Sequence, residues 1–431
     1  MRPPAGKAKP AHARAAAPVH DPAQAPTGAP AHAPDLTDAD LADWLHLLHT
    51  DGIGREAARR LLAALGSPGA VLAASVPERA ACVDARAAAA LSRPPDGHTQ
   101  RLAATLAWRS AAPGRRVMVL GDADYPPLLL HSADPPLLLY LQGNASLLTR
   151  PAVALVGSRQ PSAQGRDHAH GFGRALSAQG WTIVSGLAAG IDGAAHDGAL
   201  AGLADAETSN GQDSQAGSQI VSHTGGSTVA VVGTGIDRVY PAAHRALARR
   251  IADQGLIVSE FSLGTPPLAA NFPQRNRLIA GLSRGTLVVE AALRSGSLIT
   301  ARLAAEAGRE VMALPGSVLA AQSAGCHALI RQGAALVTSV EQVLQELQAL
   351  PPLDLPAVLK APTAAPSAAA STHQPDDPVL RALGHDPLTL DALIDRCGWP
   401  APALSAHLLT LEFDGLVARL PGGLYQRRST A

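Results

Sequence analysis

Short apolar runs alternate with longer amphipathic stretches through the middle of the chain. Residues 153–156, 182–184, 229–232, 256–258, 286–289 and 311–314 are rich in Val, Ile and Leu and are flanked by Gly, Ser or Pro. Unbroken apolar runs of this length mark strands buried on both faces. Between them, residues 163–179, 242–254 and 298–307 carry helical periodicity. The alternation predicts an α/β domain over 113–350: a doubly wound, extended Rossmann-like, mostly parallel sheet with helices on both faces. A further strand begins at 117–120, and Tyr125-Pro126-Pro127 and Pro135-Pro136 punctuate the chain before the main run.

The flanks read differently. Residues 1–34 are low in complexity, rich in Ala, Pro and His, and expected to be a disordered tail. From 35 to 112 the pattern is helical, with Leu41, Trp44, Leu45 and Leu48 on one face and a further helix expected over 80–111. Gly52 to Leu62 resembles the hairpin and second helix of a helix-hairpin-helix unit, whose glycine turn holds a DNA phosphate; a glycine turn that serves packing alone fits equally well. Residues 202–227 turn polar and aperiodic, as a flexible surface insertion would. A Pro/Ala/Ser linker covers 351–377. Beyond it, helical patterns at 378–383, 389–397 and 401–416 and a hairpin at 417–420 and 424–427 describe a winged-helix domain over 378–431. Its third helix carries few basic residues, which favours protein contacts over base reading.

Composition narrows the chemistry. The 431 residues have a formal net charge of zero, so affinity for nucleic acid has to come from local clusters. Lys7, Lys9 and Lys360 are the only lysines, and none lies in the sheet region. A P-loop NTPase, which needs a lysine after its glycines, is excluded. Cys82, Cys326 and Cys397 are too scattered for a disulfide framework or zinc spacing. No signal peptide and no run of ~20 apolar residues is present, so a cytoplasmic protein that spans no membrane is expected.

The candidate chemistry gathers at the ends of the predicted strands, where an open parallel sheet presents N–H groups to anions. Gly157, Ser158 and Arg159 close the first central strand. Ser185 and Gly186 close the second and lead through Gly190 to Asp192 at a helix start. Gly233 and Gly235 follow the third. The glycine spacing is not a dinucleotide fingerprint. Asp192 and His196 are one helical turn apart, without further metal ligands nearby, and are expected to share a structural hydrogen bond. Phe272, Arg275, Asn276 and Arg277 suit a single strand, the ring stacking on a base and the guanidinium groups gripping phosphates, where a loop re-enters the sheet edge. Arg294, Ser295 and Gly296 form another turn at a helix start. Glu290 serves either as a general base or as an orienting partner of Arg275, Arg277 or Arg294. So many anion-binding turns along one edge exceed the needs of a mononucleotide and fit an extended polyanion.

These blocks in this order resemble the DNA-processing protein DprA/Smf family. The resemblance runs from about Val117 to Gln345 and includes the blocks at Gly157–Arg159, Ser185–His196, Gly233–Gly235, Tyr240-Pro241, Phe272–Ser283, Arg294–Ser297 and Pro315-Gly316. It implies a SAM-like N-terminal domain, a C-terminal winged helix, and a dimeric protein that binds single-stranded DNA and loads the RecA recombinase onto it during natural transformation. No cofactor, metal or catalysed reaction is implied. The resemblance puts DNA phosphates on Arg159 with its Gly157–Ser158 turn, on Ser185–Gly186, and on Arg275 and Arg277. His327 stands where members commonly have Asn, and the 202–227 insertion is longer than usual. The alternative reading is a nucleotide-binding enzyme such as a nucleoside-monophosphate phosphoribohydrolase, with Glu290 and Arg294 as catalytic groups; its expected glycine loop is absent.

Overall fold

The computed structural model describes residues 36–212, 226–348 and a discontinuous set between 378 and 427. The chain divides into two compact units, Met1–Ala361 and Pro362–Ala431. The larger is built on nine strands: β1 (Arg115–Val119), β2 (Leu138–Gly143), β3 (Ala152–Val156), β4 (Thr182–Ser185), β5 (Thr228–Val232), β6 (Leu256–Ser259), β7 (Gly285–Val288), β8 (Glu310–Ala313) and β9 (Ala335–Leu336). They lie in the order β1-β2-β6-β5-β4-β3-β7-β8-β9. From β6 to β9 every pairing is parallel, whereas β2 joins β6, and β1 joins β2, antiparallel. The doubly wound α/β sheet expected from the sequence is thus what the chain forms.

Strands β3 to β7 are buried along their whole length, which is why their sequences show no polar alternation. The period-2 geometry of a strand still sorts the side chains. Val153, Leu155, Ile183 and Leu287 enter one core, with Ala169, Phe172, Leu176, Ile191 and Ala195 from helices Ala163–Ala178 and Ile191–Gln212. Ala154, Val156, Val184 and Val288 enter the other, with Leu278 and Ile279 of helix Asn271–Gly281 and Ala301 of helix Ser297–Glu306. The chain winds from β3 through β6 in one direction and then returns to β7 on the far side of β3. That reversal is a topological switch point, where open α/β sheets form their ligand crevice.

Several elements depart from expectation. Strands β2 and β9 were not foreseen: β2 follows Pro135-Pro136 directly, and β9 has only two residues. The helix expected over 80–111 is broken into Val76–Ala80, Ala85–Ala90 and His98–Ser110, with Asp84 capping the second through the Ala87 N–H and Gly97 at φ +71° before the third. The polar stretch 202–227 is not an insertion throughout: helix Ile191–Gln212 runs into it, Gly226 N–H bonds Ser177 O and Ser227 Oγ bonds Gln254 O. The expected tail 1–34, residues 213–225 and the linker 351–377 lie outside the described residues.

The N-terminal helices share a core with the sheet, in which Leu41, Leu45 and Leu61 join Val117, Leu137 and Tyr140. Helix Arg55–Leu65, which follows the glycine turn, directs Arg55 and Arg59 at Asp134, at 2.9 and 2.5 Å. Its cations therefore face the protein, which favours the packing reading of that hairpin. In the smaller unit, helices Pro378–Leu383 and Leu390–Cys397 accompany a three-stranded sheet of Leu388–Thr389, Leu424–Arg427 and Val417–Leu420. Leu393, Leu404, Leu408 and Val417 are in its core, as a winged helix requires. Among the described residues no helix is long and apolar enough to cross a membrane.

Helices Ala163–Ala178 and Ile191–Gln212 approach through glycines. A side chain at Gly173 would lie 2.6 Å from Ala195 O, and one at Gly198 would overlap His170 O. Gly198→Ala is expected to cost about 2–3 kcal/mol by forcing two packed helices apart, read as a lower denaturant midpoint.

Candidate nucleic-acid interface

A cleft of about 870 Å³ opens at the carboxyl ends of β3 and β7. Gly157, Ser158 and Arg159 line it on the β3 side, Arg294, Ser295 and Gly296 on the β7 side, and Phe272, Arg275 and Asn276 along one wall. Arg159 is exposed, and its guanidinium carbon lies 5.5 Å from the centre of the Phe272 ring. Tyr240, 46% exposed, lies 5.6 Å from Phe272. A cation stacked on one ring beside a second ring leaves donors and π-faces for a ligand and limits the freedom of both.

Arg275 forms the floor. It is only 3% exposed, and its Nη1 donates to the carbonyls of Gly186, at 2.5 Å, and Val231. Burial pushes its pKa down to about 10, opposed by the nearby Asp192 carboxylate, so it stays cationic at neutral pH. Gly186 has no side chain because the guanidinium occupies that space: a Cβ there would lie 2.6 Å from Arg275 Cζ. Asp192 is buried as well and accepts the N–H groups of Gly186 at 3.1 Å and Ala188 at 3.4 Å. Burial raises its pKa, with Arg275 pulling the other way.

The turn between these residues is held from behind by His196. Leu187 takes a left-handed φ of 55° and donates its N–H to His196 Nε2 at 3.3 Å. His196 Nδ1 lies 2.6 Å from Thr228 Oγ1, whose own proton goes to Ile183 O. The imidazole therefore donates from Nδ1 and accepts at Nε2, a neutral tautomer, and burial lowers its pKa to about 3. Gly190, at φ +83°, lets this turn touch the β3 loop: a Cβ would lie 2.8 Å from Arg159 C, and Ile191 N–H bonds Ser158 O. Glu290 fixes that loop from the other side. Its carbonyl accepts the Ser158 N–H at 2.6 Å, and its carboxylate accepts the Ser162 N–H at 2.8 Å, ahead of helix Ala163–Ala178.

Comparison with known proteins now decides the family. A family model described as DNA recombination-mediator protein A matches residues 116–348, and one described as the DprA winged helix domain matches 362–423. The chain belongs to the DprA family. Protein Smf of Escherichia coli is 40% identical over 322 residues, covering 73% of this chain and 78% of that one. DNA processing protein DprA of Streptococcus pneumoniae is 45% identical over 227 residues, 53% of this chain and 72% of that one. The X-ray structure of S. pneumoniae DprA superposes with a TM-score of 0.57 at 36% identity, covering 72% of this chain and 98% of that one.

Within this DprA fold the expected site residues separate into three groups. Gly157, Ser158, Arg159, Phe272, Arg275, Asn276, Arg294, Ser295 and Gly296 line one cleft. A second group is buried scaffold. Ser185 donates its hydroxyl to Leu155 O, Gly186 N–H is taken by Asp192, Gly233 packs on Phe272, and Gly235 fits against Ser262 O and the Gly264 N. Gly190 belongs with them as the contact between two loops. The Ser185 hydroxyl and the Gly186 and Gly235 N–H groups are thus taken by the protein itself, Gly235 N–H going to Thr265 O. Asp192 and His196 are not bonded to each other; both brace the Gly186–Ala188 turn. Glu290 pairs with none of the three arginines, which corrects its expected partnership.

Arg277 is the third case. Residues 272–281 of this block lie in helix Asn271–Gly281 and not in a loop, so residues two apart point about 200° apart. Arg277 faces away from the cleft, donates from Nη2 to both Glu260 oxygens and places Nε 3.2 Å from Asp134. Arg55 and Arg59 share those carboxylates. Ser297 lines the cleft with the turn it was read in, whereas Tyr240 and Thr300 line it but were not singled out for it. An exposed aromatic beside a proline was the available signal for Tyr240. Among the described residues no group of three His, Cys, Asp or Glu side chains is placed for a metal.

Two outcomes follow. The side chains of Arg277 and Glu260 are only 15% and 10% exposed, so Arg277→Met leaves the Glu260 carboxylate with Arg55 at 3.7 Å as its remaining cation and lowers unfolding stability by roughly 2–3 kcal/mol in urea titration. His196 has a folded pKa near 3, well below its unfolded value, so the unfolded state binds more protons between about 6.5 and 3. Stability is therefore retained above pH 6.5 and falls with acidification through that window, by up to about 1.4 kcal/mol per pH unit. His196→Gln flattens this dependence in urea midpoints measured from pH 7.5 to 5.

Proposed function

We propose that this chain is a single-stranded DNA-binding recombination mediator and that the strand lies in the cleft at the ends of β3 and β7. The observation that carries the reading is the arrangement of Arg159 on Phe272 beside Tyr240, above the buried cationic Arg275. Aromatic faces accept any base, and guanidinium groups pair with any phosphate, so the site suits a strand without regard to sequence. Family membership supports the same direction: the matching model is described as a DNA recombination mediator. On the family's pattern, loading of RecA onto the bound strand during natural transformation, homodimer formation and a cytoplasmic location complete the proposal. The winged helix serves protein contacts in this scheme.

The enzyme alternative is weaker. Glu290, its candidate base, already accepts the Ser162 N–H beside the β3 loop, and in this reading no reaction is catalysed and no cofactor is needed.

Fluorescence anisotropy with oligo-dT of increasing length tests the proposal. Affinity is expected to rise with length until the cleft is filled and to fall steeply with salt. Arg159→Ala is expected to weaken binding across sequences by about tenfold and to reduce the salt slope by about 1. Saturation by 5′-dTMP with release of free base would instead establish the enzyme.

A further inference from the structure

Helix Ser297–Glu306 begins inside the cleft, and the polar groups at its start are unusually unspent. Thr300 is 2% exposed and lines the cleft. A hydroxyl within a helix commonly donates to the carbonyl four residues back, as Thr105 and Thr208 do here at 2.8 Å each. The carbonyl four back from Thr300 is Gly296 O, which takes the Asn276 side-chain amide at 3.4 Å. The Thr300 hydroxyl has no hydrogen-bond partner among the described residues.

Two neighbours behave alike. Gly296 precedes the helix, is exposed, and has an N–H with no backbone partner among the described residues. Ser295 and Ser297 place their hydroxyls 2.7 Å apart, so one proton bridges them and the other is free to donate outward. Arg294 stands on the same turn, and Arg275 Nη2 on the floor is likewise uncommitted among the described residues.

What these groups share is the ability to donate, the hydroxyls accepting as well, and Asp192, the carboxylate on the cleft lining, already accepts from Gly186 and Ala188. A ligand with several acceptors and negative charge satisfies them together, at a helix start whose dipole favours an anion. We propose that one phosphoryl group of the bound strand seats here, taking hydrogen bonds from the Thr300 and Ser295/Ser297 hydroxyls and the Gly296 N–H, with Arg294 and Arg275 supplying charge. The proposal rests on the reading of the cleft as a DNA groove. It fixes the strand's register at a buried hydroxyl that carries no charge.

Thr300→Val removes the donor and keeps the shape. Oligo-dT anisotropy is expected to show about tenfold weaker binding, the loss of a hydrogen bond to a charged group, with an unchanged salt slope because no cation is lost. Thr300→Ser restores the wild-type affinity. The seat is overturned if Thr300→Val binds as wild type does, or if Thr300→Ser loses as much as Thr300→Val. Arg159→Ala, run alongside, separates the two failures: if it weakens binding while Thr300→Val does not, the seat alone is wrong, and if neither does, the groove is wrong as well. Titration with 5′-dTMP distinguishes the sources of the phosphate. A loss confined to the oligonucleotide assigns the seat to a backbone phosphodiester, and a parallel loss for dTMP extends it to phosphate monoesters.

Discussion

Arg275 sits where three remote pieces of the chain meet, and the site depends on its being held there. Its guanidinium joins the Gly186 carbonyl after β4 to the Val231 carbonyl on β5 while belonging to the helix that walls the cleft. A cation at this depth would be expelled unless the surrounding groups replaced its hydration. Two carbonyl oxygens take Nη1, the Asp192 carboxylate opposes the burial electrostatically, and Gly186 makes the space. Asp192 in turn holds the turn whose carbonyl Arg275 uses, so cation, carboxylate and turn define one another.

Around that centre the loops are braced by internal bonds. Glu290 uses both its carbonyl and its carboxylate on the β3 loop, and His196 stays neutral to support the left-handed Leu187. The groups left for a ligand are therefore mainly side chains carried on rigid supports. Arg159, Phe272 and Tyr240 stack on one another without a ligand, which lowers the ordering cost of any binding there. The network of Arg55, Arg59 and Arg277 with Asp134 and Glu260 steadies the same wall helix from its outer face and ties it to the N-terminal helices. In a chain of zero net charge, such placement matters more than the number of arginines.

Much of this was legible in the residues. Apolar runs such as Val153–Val156 announced the parallel sheet because strands buried on both faces have no polar side to show. Gly157, Arg159 and Arg294 were legible as residues of the sheet edge that lines the cleft because glycine and arginine after a strand have a local meaning. Arg277 was misplaced because its surroundings were read as a loop, in which Arg275 and Arg277 could face the same way; a helix sends them to opposite sides. Ser185, Gly186 and Gly235 were taken for ligand donors because a sequence does not show where an N–H or hydroxyl is already spent. Thr300 was missed for the converse reason, since its oddity lies in a bond it does not make.

By itself, then, the amino-acid order determined the central parallel strands, the doubly wound fold class and the edge at which candidate chemistry gathers, because each follows from periodicity and residue type within a short window. Only the tertiary structure decided which donors at that edge remain available and which cation is buried on the floor. That allocation depends on hydrogen bonds between residues such as Gly186 and Arg275, or Ser158 and Glu290, far apart in the chain and brought together by the closing of the sheet.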